Sequence, residues 1–194
     1  MNVVMHVRLR TETETLRRSW ITSYRAVRLL RDALDVSVDD EMRSLVAILR
    51  MCGFTTMSSC GGHPERPTDG PYVILQCDPA RAAERDAIQL VEATERLAAL
   101  KACRLQTLRQ ADRLRLLVER FEAQRDLSSS SARLEVRPIG YAQYRLCFVH
   151  SDFSSILEPA EHQCEILRRQ RAIEDFARFV APRTANALAP GAQS

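Results

Sequence analysis

Long apolar runs are missing from this 194-residue chain. No uncharged stretch approaches the roughly 18–20 residues that a membrane span requires, so no membrane partner is expected. The opening Met1-Asn-Val-Val-Met-His-Val-Arg-Leu-Arg10 lacks the apolar core of a secretory signal, which predicts a soluble, cytoplasmic protein. Lysine is almost absent: Lys101 is the only one among 28 basic residues. A GC-rich coding sequence produces that bias without a functional cause. Strong charge of either sign is absent too, since 28 basic against 25 acidic residues leave a formal +3. Net charge therefore does not mark a nucleic-acid binder. The sequence also lacks a Gly-x-Ser-x-Gly elbow, a glycine-rich phosphate loop with lysine, and a His-Glu-x-x-His pair. These absences remove the commonest hydrolase, nucleotide-binding and metalloprotease signatures.

What is present builds an α+β domain. Val3, Met5, Val7 and Leu9 alternate with His6, Arg8 and Arg10, which predicts an opening strand over Val3–Leu9. Thr11-Glu-Thr-Glu14 offers a capping box for a helix carrying Leu16, Trp20, Tyr24, Val27, Leu30 and Leu34 on one face. The Asp39-Asp40 pair reads as N-terminal charge for a second helix ending before Gly53. Strands are predicted over Phe54–Ser59, Tyr72–Cys77, Leu134–Pro138 and Tyr144–Val149, with a last helix from Pro159 carrying Ile166, Leu167, Ile173, Phe176, Phe179 and Val180. Residues 80–126 hold neither glycine nor proline. As one helix they would run about 70 Å, longer than a domain of this size is wide. A long projecting helix or a helical hairpin follows, with homodimerisation through 80–126 expected from its apolar stripe, Leu97, Leu100, Ala111, Leu114, Val118 and Phe121. The resulting plan is a mainly antiparallel sheet covered by helices: one domain over 1–181, including that extension, and a disordered tail over 182–194.

One segment speaks of chemistry: Gly53-Phe-Thr-Thr-Met-Ser-Ser-Cys-Gly-Gly-His-Pro64, followed by Pro71-Tyr-Val73. Adjacent glycines let a backbone turn tightly and aim amides into an anion-binding nest. A thiol beside such amides and an imidazole has its thiolate favoured, as a nucleophile or a metal ligand requires. On this reading Cys60, His63 and His150 are the candidate catalytic residues, and Ser59, Gly61 and Gly62 line a ligand site. The other reading is metal binding. Cys60-x-x-His63 and Cys147-x-x-His150 share a spacing, but Cys147 lies in a predicted strand, where residues three apart face opposite ways. Cys60, His63 and His150 survive that objection as a three-ligand set suited to zinc.

The segment resembles a motif of small bacterial and phage-encoded proteins of unassigned activity, Gly-(Phe/Ile)-x-Thr-x-x-Ser-Cys-x-Gly-His. Gly53, Phe54, Thr56, Ser59, Cys60, Gly62 and His63 match it, and Pro71, Tyr72 and Val73 match the Pro-Tyr-Val that often follows. It is also similar to the Thr-x-Ser-Ser-Cys-Ser-Gly-Arg segment of tRNA wybutosine-synthesis methyltransferases, with His63 where that family has arginine. The likeness spans about 20 residues and implies a shared structural unit rather than an activity. Two other functions stand beside the Cys-His site. The arginines of residues 8–31 could meet nucleic-acid phosphates, or the chain could be a dimeric interaction protein with a purely structural Cys-Gly-Gly-His turn.

Overall fold

The computed structural model describes residues 3–32, 35–63, 70–125, 133–149 and 158–181. Helix α1 runs unbroken over Val3–Arg28, so the strand expected at Val3–Leu9 does not form and Thr11–Glu14 lies inside the helix instead of capping it. The alternation that suggested a strand is short, and its members also recur four apart, Val3 with Val7 and Met5 with Leu9, which a helix satisfies equally. Neither glycine nor proline occurs before Gly53 to stop the helix. Further along α1, Val27 is buried while Trp20, Tyr24 and Leu30 pack against the core. Leu34 lies outside the described residues.

A single 3-10 turn, Asp40–Met42, leads into helix α2, Arg43–Met51, whose Leu45, Val46, Ala47, Ile48 and Leu49 are buried. Gly53 then takes φ +80°, a left-handed conformation that ends the helix and turns the chain into strand β1, Thr55–Cys60. Strand β2 spans Tyr72–Gln76, and after the two helices described next, β3 spans Leu134–Pro138 and β4 spans Gln143–Phe148. All pairings are antiparallel, in the order β1-β2-β4-β3. Opposed residues share a sheet face. The row Ser59, Val73, Leu146, Val136 and the row Leu75, Tyr144 therefore look into the core, where Val73, Leu75, Tyr144 and Leu146 are fully buried. Cys60 and Tyr72 pair on the other face.

Residues 80–126 resolve into a hairpin: helix α3, Asp78–Ile88, and helix α4, Ala93–Glu122. Composition carries no break there, and tertiary packing imposes one. Ala80 and Cys103, one from each helix, share a small buried cluster with Cys77 and Ala142, where slight side chains let the backbones approach. The turn between the helices leaves Val91 almost fully exposed, at 91%. Ala111, Leu114, Val118 and Phe121 join the main core, whereas Leu97 is exposed. Most of the stripe expected on a projecting arm thus packs inside its own chain. Helix α5, Pro159–Val180, starts with a reciprocal Glu158–Glu161 capping box and buries Ile166, Ile173, Phe176 and Val180; Leu167, expected inward, is exposed. No described helix is long and apolar enough to cross a membrane.

Candidate metal centre

Strand β1 delivers Cys60 to its last position, and the chain leaves it through Gly61 and Gly62. Gly62 adopts φ +82°. Helix α5 is the floor beneath this turn. Gln170 donates from Nε2 to the Gly61 carbonyl at 2.8 Å, and a methyl on Gly62 would sit 3.3 Å from Ile166 Cγ2 and 3.0 Å from Pro71 Cδ. Both glycines are buried, whereas His63 is exposed. The turn is therefore rigidly seated and presents its histidine outward.

The partner that completes the site comes from a segment read as helix capping. Asp39 precedes the 3-10 turn, yet its side chain makes no capping hydrogen bond. Its Oδ2 instead accepts the Gly61 N–H at 2.6 Å and stands 3.7 Å from His63 Nε2. The Gly62 N–H is directed to Cys60 Sγ at 3.4 Å. The nest expected from Gly61-Gly62 is therefore occupied from within. One amide binds a carboxylate and the other a sulfur, leaving neither for an oxyanion.

Asp39, Cys60 and His63 bring one donor atom each to within 4.8 Å of one another. His63 faces the carboxylate with its Nε2. Three donors of different chemistry gathered this closely are a set that can hold a common ion. Donors placed 2.0–2.3 Å from a tetrahedral zinc lie about 3.3–3.8 Å apart, and the Asp39–His63 separation already falls in that interval. The side chains of His63 and Asp39 are 47% and 24% exposed, so the centre is open to solvent on one side.

The other sequence-derived residues fall elsewhere. Ser59 lies on the core face of β1, opposite Cys60, with its Oγ buried and unbonded, and lines no part of this cluster. His150 lies outside the described residues. Cys147 is 1% exposed with its Sγ 3.8 Å from Glu135 Oε1, and burial followed by that carboxylate pushes its thiol up to about 11. It is a packed core thiol and no ligand. Comparison with protein-family models, with curated proteins and with solved structures found no match. The geometry is what bears on function. Asp39 was missed because an acidic residue before a helix has a sufficient explanation in the helix dipole. The signal available was the Asp39-x-Glu41 spacing, which places two carboxylates on one short segment.

Proposed function

We propose that this protein holds a divalent transition ion, zinc fitting best, through Asp39, Cys60 and His63, with one coordination position left to an exchangeable ligand. The observation that carries this reading is the convergence of three chemically different donors on one point, two of them pinned by backbone amides. Hydrogen bonds of that kind orient ligands and hold them in their metal-binding form. Three protein ligands with an open fourth position form the pattern in which a zinc ion activates water or polarises a bound oxygen. Partial exposure of the cluster gives a small polar ligand access. The amide on Cys60 would also serve a thiolate nucleophile, but a carboxylate, a thiol and an imidazole gathered at one point favour metal ligation over that role. Self-association through 80–126 would have to rest on the exposed Leu97, Leu105 and Leu116, and nucleic-acid binding on exposed α1 arginines such as Arg17, Arg25 and Arg28.

The test is reconstitution of chelator-stripped protein with Co²⁺. One equivalent should bind and produce a thiolate-to-cobalt absorption in the near ultraviolet, and Cys60→Ser should abolish that band. Failure of the stripped, folded protein to bind Zn²⁺ or Co²⁺ at stoichiometric levels would overturn the reading.

A further inference from the structure

The three donors leave a tetrahedral ion one ligand short, and a second carboxylate stands near Asp39 over the same turn. A methyl placed on Gly61 would lie 3.2 Å from Glu41 Oε2 and 3.3 Å from Asp39 Oδ2. Both acids therefore crowd one point above the turn. The two differ in how they are held. Asp39 is fixed by the Gly61 N–H, whereas Glu41 is exposed and, among the described residues, makes no ion pair or hydrogen bond. Its neighbour Asp40 is engaged elsewhere, paired with Arg43 at 2.5 Å. Glu41 stands outside the group of donors that already converge, at the end of a flexible side chain that a change of rotamer can swing inward.

We infer that Glu41 is the fourth and exchangeable metal ligand, closing the sphere as Asp39-x-Glu41 plus Cys60-x-x-His63 and yielding its place to an incoming anionic oxygen ligand such as a carboxylate or phosphate. The inference rests on the metal reading above. Three considerations support it. Two carboxylates gathered at one point repel each other, and a divalent ion between them reverses that interaction. The ligand set then comprises two pairs, each drawn from one short segment, the end of β1 with the turn after it and the 3-10 turn before α2. Finally, Asp39 and Cys60 are held by backbone amides, whereas Glu41 ends a long exposed side chain that can leave at little cost.

Competition against a chromophoric chelator measures the Zn²⁺ affinity of wild type, Glu41→Gln and Asp40→Asn. Glu41→Gln should weaken binding about tenfold and change the visible d–d bands of the Co²⁺ form while its thiolate band persists. Asp40→Asn should leave both unchanged. Acetate or inorganic phosphate, titrated into the Co²⁺ form, should perturb the d–d bands of Glu41→Gln at lower concentration than those of wild type, where Glu41 must first be displaced. If wild type binds metal and Glu41→Gln matches it in affinity and spectrum, Glu41 is no ligand and the three-donor centre stands. Equal weakening by Asp40→Asn would reduce the effect to general charge and overturn the assignment. Wild-type protein that binds no metal removes both readings together.

Discussion

Replacing Gly61 or Gly62 by alanine adds the same methyl group to adjacent residues, and the structure assigns the two changes opposite consequences. Gly61 has no left-handed backbone to protect, since positive φ among the described glycines is confined to Gly53 and Gly62. Alanine there removes unfolded-state freedom, which favours folding by about 0.4–1 kcal/mol. Against this, the new methyl meets Asp39 Oδ2 at 3.3 Å and Glu41 Oε2 at 3.2 Å, so both carboxylates must retreat by a few tenths of an ångström. Glu41 retreats freely. Asp39 does so by stretching its bond to the Gly61 N–H. The net change in folding stability should stay within about 1 kcal/mol, while Zn²⁺ affinity falls about tenfold or more. At Gly62 the left-handed backbone costs a non-glycine residue about 1–2 kcal/mol. Contacts at 3.0 Å to Pro71 Cδ and 3.3 Å to Ile166 Cγ2 add to this against a fixed ring and a buried side chain. Gly62→Ala should therefore lose about 2–3 kcal/mol of stability with or without metal. Urea unfolding of the metal-free proteins, paired with chelator competition on the folded ones, separates the two effects. The reasoning fails if Gly61→Ala binds zinc as tightly as wild type, or if both variants lose the same stability.

Cysteine labelling should divide the six thiols by environment. Burial raises Cys52 and Cys147 to about 11 each, so at pH 8 only about one in a thousand of either is thiolate. Cys164 is exposed and Cys60 half-buried. Mild alkylation should modify these two first, and bound Zn²⁺ should protect Cys60 while leaving Cys164 as reactive as before; peptide mapping that shows no metal-dependent protection would count against ligation. Tyr144→Phe should stabilise the fold by about 1 kcal/mol, because the hydroxyl is fully buried and has no hydrogen-bond partner among the described residues. Burial also raises the phenol above its ordinary value of 10.0. The unfolded chain therefore releases this proton first, and wild-type stability should fall as pH rises above about 10, more steeply than that of Tyr144→Phe. Denaturation midpoints at pH 7 and pH 10.5 check both signs.

Much of the architecture was legible in residue patterns. The four strands in two hairpins, the helix stop at Gly53 and the apolar face of α5 follow from period-2 and period-3.6 spacing with turn residues between them, and these are local properties. The Cys60-Gly-Gly-His63 turn was visible for the same reason: its glycines and its donors sit within four consecutive positions. Other features were decided only by packing. Seven alternating residues at the start of the chain suit either a strand or a helix, and continuity with the following helix formers settled the matter. The break between α3 and α4 has no local cause; it arises because a helix folded back can bury Ala80 against Cys103 and place Leu114, Val118 and Phe121 in the core. The site depended on tertiary structure most of all. Asp39 stands 22 positions before Gly61, and Gln170 stands 109 positions after it. No periodicity links residues so far apart. Which donors one turn can offer depends on neighbours along the chain, and residue order settles it. Which carboxylate meets them depends on how α2 and α5 dock at the end of β1, and that only the folded chain decides.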